Sequence, residues 1–276
     1  MSASRELSFN KRLATGLLAT GFIAAASIGS VASAGLTKVP VSQPATPSSG
    51  SSPTDATSPF SLVFQDDFDG LVIDPTAWSV FSGPGNGRNG PKAAVNSFVA
   101  NGSLVLRAQP IAGTWYGAGV ANARRVVQTY GKYEMQVRFD AGYGVRTAAL
   151  LWPAGGGWPP EVDFYEIEGR DALRTTNMLT NHYRDAAGIH RMQHSFIKGD
   201  YTQWHTVGVE WRPTSLTYTL DGAVVKTMTT NVPQQPMWFG MNVSLGSPGY
   251  RPDATTPSHV DANIDWIKIY SYNGAG

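Results

Sequence analysis

The sequence predicts an all-β fold, a two-sheet antiparallel β-sandwich closed as a concanavalin-like jelly roll, and three observations carry that prediction. Short runs with strand period 2 recur along most of the chain, separated by turn residues. Glycine and proline are abundant, at 30 and 18 of 276 residues. No segment keeps a helical period for longer than about two turns.

Taken in order, strands are expected at 103–107, 131–139, 147–152 and 161–166, then at 206–211, 216–220, 238–243 and 262–270. In the second of these, Tyr133, Met135, Val137 and Phe139 alternate with Lys132, Glu134, Gln136 and Arg138, which gives one buried and one wet face. Asp221-Gly222 between 216–220 and 223–228 is a hairpin signal, because both central residues of a type I′ turn need positive φ. No repeat of 20–50 residues suggests a propeller or solenoid.

Composition excludes several chemistries. The chain has no cysteine, so disulfides, thiolate nucleophiles and cysteine-bound zinc are absent. A net charge of +1 argues against a nucleic-acid partner held by a basic surface. No G-x-S-x-G, H-E-x-x-H or Walker sequence occurs. The run from Gly85 to Gly90 matches G-x-G-x-x-G, but Pro91 follows and no helix pattern opens, so it reads as a surface loop. His182, His190 and His194 lie close together without a familiar metal-ligand spacing. With 8 tryptophans, 11 tyrosines and 11 phenylalanines against 15% charged residues, the composition points toward carbohydrate, whose rings stack on aromatic faces.

Residues 1–34 read as a signal peptide: Lys11 and Arg12 precede an apolar run over 13–28, and Ala32-Ser33-Ala34 offers a cleavage site. The protein is therefore expected to be exported, with no stable membrane insertion after cleavage. Without Arg5, Glu6, Lys11 and Arg12 the net charge falls to −1. Residues 35–59, rich in Pro, Ser and Thr, read as a linker. One folded domain is expected over 60–276, acting as a monomer.

The informative segment is Pro159-Pro-Glu-Val-Asp-Phe-Tyr-Glu-Ile-Glu168. A regular strand would place Glu161 and Asp163 on one face and Glu166 and Glu168 on the other, leaving acid on both. One extra residue, a β-bulge between Asp163 and Glu166, rotates Glu166 onto the face of Glu161 and Asp163. Glu161 and Glu166 would then lie roughly 13 Å apart along the backbone. Inward-leaning side chains would bring the carboxyls to about 5–6 Å, the separation used by retaining glycosidases.

Glu161-Val-Asp163-Phe-Tyr-Glu166 resembles the E-I/V-D-x-x-E signature of glycoside hydrolase family 16, the laminarinase-like jelly rolls. Five further segments are similar to family motifs in the same order. These are Leu62 to Gly70, Tyr130 to Glu134, Leu150 to Pro153, Trp204 to Trp211 and Asp265 to Tyr270. The resemblance implies that Glu161 is the nucleophile, Glu166 the general acid/base and Asp163 a hydrogen-bonding partner that tunes Glu161. Neighbouring anions are expected to raise the pKa of Glu166, keeping it protonated when sugar arrives. The x-x spacing resembles laminarinases more than lichenases, which show E-x-D-x-E, and so favours β-1,3-glucan as the polysaccharide partner.

Trp152, before the Gly155–Gly157 turn, Trp158, just before the acidic strand, and Trp115, in a glycine-rich loop, are candidate sugar platforms. Trp238 and Asn242 share a face by period 2, and His182 resembles a cleft histidine of the family. No cofactor is required for the chemistry. The resemblance implies a structural calcium at Asp67, the Gly102 carbonyl and Asp265, although Asp67 stands where the family usually has Glu. A binding module without catalysis, or a cell-wall transglycosylase, are the alternative readings. A lectin, however, has no use for three carboxylates on one strand.

Overall fold

The structure, a computed structural model, describes residues 58–85 and 87–274. The expected signal peptide and all but the end of the expected linker lie outside the described residues. Strands β1 (Phe60–Asp66), β2 (Ser79–Val80), β3 (Ser97–Ala100), β4 (Ser103–Ile111), β5 (Thr114–Tyr116) and β6 (Ala118–Ala121) come first. They are followed by β7 (Gly131–Phe139), β8 (Val145–Pro153), β9 (Glu161–Ile167), β10 (Thr176–Arg184) and β11 (His190–Lys198). The last five are β12 (His205–Arg212), β13 (Ser215–Leu220), β14 (Ala223–Met228), β15 (Met237–Leu245) and β16 (Val260–Tyr272).

They form two sheets. The larger has the order β14-β13-β12-β7-β16-β4-β3, with β1 also on β16 and β5 on β4; the smaller is β11-β10-β9-β8-β15-β6-β2. The strand pairs are antiparallel, and no α-helix occurs among the described residues. The all-β jelly roll read from the sequence is therefore what forms.

Alternation explains the layers. Tyr133, Met135, Val137 and Phe139 of β7 meet Leu151, Val162, Phe164 and Phe239 of the smaller sheet in one core, while Lys132, Glu134, Gln136 and Arg138 stay outside it. The β13–β14 hairpin closes through Asp221 and Gly222, at φ 51° and 80°, the backbone that the Asp-Gly pair was read to require.

A buried cation holds the ends of the strands that carry the site. Arg174, between β9 and β10, is fully buried. Its guanidinium donates to the carbonyls of Asp140 (2.8 Å), Gly142 (2.6 Å), Val145 (2.9 Å) and Asp171 (2.9 Å) and lies 3.9 Å from the centre of the Phe139 ring. Burial lowers its pKa to about 10. Arg174→Met strands four carbonyls, which costs on the order of 3–5 kcal/mol. The expected outcome is a Tm lower by about 10 °C; an unchanged melting curve would contradict this role.

Candidate active site

Strand β9 carries the expected bulge. On β8, Ala149 pairs with Tyr165 and the next residue, Leu150, pairs with Asp163, so Phe164 is the extra residue. Phe164 and Tyr165 both turn into the core with Val162 and Ile167. Ladder partners share a face, and Ala148 lies two residues before Leu150 while pairing with Glu166. Glu166 thereby joins Glu161 and Asp163 on the face away from the core.

The register extends that face across five strands. One row runs from Trp238, paired with Trp152, to Glu161, paired with His182, which pairs with Met192. Trp152 flanks Glu161 because its neighbour Leu151 is the partner of Val162. The adjacent row is Gly240, Leu150, Asp163, Thr180 and His194. Four strand spacings make each row roughly 19 Å long. Gly240 leaves room for the Trp238 indole, since a Cβ there would stand 2.8 Å from that ring.

The three carboxyls sit in a poorly solvated, like-charged group. Burial first, and then Asp163, pushes Glu161 up to about 8. The Trp158 indole N–H donates to Glu161 Oε2 at 2.5 Å. Burial, then Glu166, holds Asp163 well above the usual carboxylate range, and Asp163 is hydrogen-bonded to Glu161. Glu166 is raised chiefly by burial; the Arg146 guanidinium, which contacts it directly, pulls the other way. Burial therefore outweighs the neighbouring anions that the sequence was read to rely on, and Glu168 is the anion that adds to it. Thr180 Oγ1 donates to Glu166 at 3.3 Å, and the Glu166 backbone N–H donates to Asn177 at 2.8 Å. Groups this close share their protons and titrate as a set.

His182 lies within the group, with Nε2 3.4 Å from Asp163 Oδ2 and Nδ1 2.9 Å from His190 Nε2. A proton on His190 Nε2 satisfies the histidine pair, whereas the buried Asp163 Oδ2 has no hydrogen-bond partner among the described residues. Burial lowers the pKa of each histidine, which favours these neutral rings. Trp158 is 38% exposed, but its ring packs on His190 (centroids 4.4 Å) and His182 (5.6 Å). It braces Glu161 as well as offering surface to the cleft.

On the other flank, Ser244 Oγ donates to Asn242 Oδ1 (2.5 Å) and accepts from Lys92 Nζ (2.6 Å). Burial lowers Lys92 to about 7. Arg146 pairs in the ladder with Ser244 and lies 3.7 Å from Glu168. Arg146 and Lys92 carry no local signal as site residues, because the ladder and a side-chain contact 152 residues away in sequence bring them here, and His190 stands out only as a neighbour of His182 and His194. Trp115 does not join this floor: it sits on β5, paired with Pro110 of the larger sheet, and packs against the core.

Asp67, Gly102 and Asp265 adjoin paired positions on β1, β4 and β16 of the larger sheet. Asp66 pairs with Ile267 and Leu104 with Ile264, so all three lie just beyond these pairs. Gln65 Nε2 donates to both oxygens of Asp67, at 2.9 and 2.6 Å.

A jelly roll whose outer strand face gathers acidic side chains between tryptophans has the makings of a glycoside hydrolase. The chain belongs to glycosyl hydrolase family 16, whose sequence model matches residues 92–268. It is 32% identical over 192 residues to the endo-1,3-1,4-beta-glycanase ExsH of Rhizobium meliloti, covering 66% of this chain and 41% of that protein. It is 27% identical over 192 residues to EglC of the same organism, again covering 66% and 41%. The chain thus spans less than half the length of these two relatives. Among solved structures, the catalytic domain of an endo-1,3-beta-glucanase (laminarinase) from Thermotoga petrophila superposes with TM-score 0.65 at 26% identity, covering 78% of this chain and 99% of that one.

Proposed function

We propose that the protein is an exported, endo-acting, retaining hydrolase of β-glucans, with β-1,3-glucan as its main substrate. The observation that carries the reading is the bulge at Phe164, which sets Glu161, Asp163 and Glu166 on one face. Glu161 attacks the anomeric carbon and forms a glycosyl ester while Glu166 gives its proton to the departing glycosidic oxygen. The ester removes the Glu161 charge, so Glu166 loses a repelling neighbour and accepts a proton from the water that cleaves the ester. Asp163, hydrogen-bonded to Glu161, orients it, and the Trp158 indole holds Glu161 Oε2. Trp152, Trp238 and Asn242 would hold sugar rings on one side of the scissile bond, and His182 lies on the other.

The laminarinase likeness and the D-x-x-E spacing support β-1,3-glucan; the relative named as an endo-1,3-1,4-beta-glycanase supports mixed-linkage glucan as a second substrate. Export rests on the pattern over 1–34. Incubation with laminarin, mixed-linkage glucan, agarose and galactan should release reducing ends fastest from laminarin. Release from none of them would return the protein to the binding-module reading, and longer chains among the products would make it a transglycosylase.

Asp67, the Gly102 carbonyl and Asp265 offer oxygen donors only, which suits calcium. The three would hold a structural ion remote from the carboxylates and tie β1 and β4 to β16. Chelation should then lower the Tm by a few degrees, as loss of a ligand bound only by the native state does. Equal melting with chelator and with added calcium would contradict the site.

A further inference from the structure

Strand β11 is an edge of the smaller sheet, and its side chains are reversed for such a position. Edge strands are normally kept polar or charged on their open surfaces. Here Gln193 and Ser195 are half-buried while Met192 and Phe196 are 51% and 54% exposed. His194 stands between those two, edge-on to Phe196 with ring centroids 5.1 Å apart. The ladder fixes where they point. Met192 is opposite His182 and His194 opposite Thr180, which are themselves opposite Glu161 and Asp163; Phe196 is opposite the half-buried Met178. The apolar strip therefore continues the face of the three carboxylates, two strand spacings or roughly 10 Å away.

We infer that Met192, His194 and Phe196 form a distal sugar platform, which binds rings of the polysaccharide beyond those flanking the scissile bond. The inference rests on the proposed β-glucan substrate. Its occupant follows from continuity: a chain laid along the row from Trp238 through Glu161 and His182 reaches Met192 next. A phenyl face and a thioether suit the apolar C–H face of a pyranose. The hydroxyl of Thr176 and the Lys198 ammonium, 2.8 Å apart at the end of the strip, supply polar partners for sugar hydroxyls. An exposed apolar patch that adjoins a cleft is a binding surface more often than an accident.

The test compares a long glucan with the shortest oligosaccharide that the protein cleaves. In M192A/F196A the ratio of kcat/KM on the long chain to that on the short one should fall about tenfold, through KM on the long chain. Phe196→Ala alone should lower the ratio as well, and Phe196→Trp should keep most of it. A ratio unchanged from the parent overturns the platform. So does a variant whose only change is loss of self-association in sedimentation, which would make the strip a contact between copies. If the parent cleaves no glucan, the proposed function has failed instead, and retardation in laminarin-containing gels reads the platform directly. There the parent must run more slowly than M192A/F196A, and equal mobility, retarded or not, rejects it.

Discussion

Glu161→Gln should lower kcat on β-glucan by about 10⁵-fold, the scale of losing a covalent nucleophile whose partners cannot substitute for it. The same change should stabilise the protein at alkaline pH. Burial and Asp163 raise Glu161 to about 8 in the folded chain, against about 4.3 for an unfolded glutamate. A carboxyl with a raised folded pKa holds its proton more tightly when folded, so stability falls as pH climbs from the unfolded value toward the folded one. The penalty is absent near pH 4 and complete above pH 8, where Glu161 must be charged beside Asp163 and Glu166. Glutamine keeps an oxygen for the Trp158 indole and removes the charge. We expect Glu161→Gln to melt roughly 5 °C above the parent at pH 8.5 and near it at pH 4.5, by calorimetry at both values. A variant less stable than the parent at pH 8.5 would mean that Glu161 is not held in a repulsive, desolvated group.

Glu166→Gln should lower kcat on glucan by about 10³-fold, within the range of a general acid/base. The deficit should depend on the leaving group. An aryl glycoside with an acidic phenol needs no proton to depart, so the variant should form its glycosyl ester almost as fast as the parent and then stall. Azide, which attacks without a general base, should restart turnover and leave a β-glycosyl azide. A loss of similar size on glucan and on the aryl glycoside, or no response to azide, would remove Glu166 from the acid/base role. Arg146 tunes this residue: its guanidinium favours the Glu166 anion while burial favours the acid. Arg146→Met should therefore move the alkaline limb of kcat/KM to higher pH, which a purely structural arginine would not do.

The frame of the molecule is legible in local pattern. Period 2 over β7 and the Asp-Gly turn each follow from backbone sterics and one-sided burial. The bulge was legible too, because four acids within eight residues cannot share a straight half-buried strand without charging both faces. Other parts had no local signal. β2 and β6 are two and four residues long, too short for alternation to register. β11 hides because Gln193 and Ser195 take half-buried positions while Met192 and Phe196 face outward, leaving Ile197 as its one apolar residue packed on the core. The electrostatic environment of Glu166 was misjudged because Arg146 is 20 residues away in sequence, and the Lys92–Ser244 contact spans 152. Trp115 also takes its setting from a pairing with no local signal: the β4–β5 hairpin packs it, half-buried, against the core.

If Glu161 bonds to the sugar while Glu166 moves the proton, the glycosyl ester can be trapped on Glu161. A β-glucosyl oligosaccharide with fluorine at C2 and a good leaving group forms the ester but slows its hydrolysis, so the adduct can be digested and sequenced by mass spectrometry. One added glycosyl group is expected, on the peptide containing Glu161 and on that residue. A label on Asp163 or Glu166, or no label from a compound that the protein turns over, would contradict it.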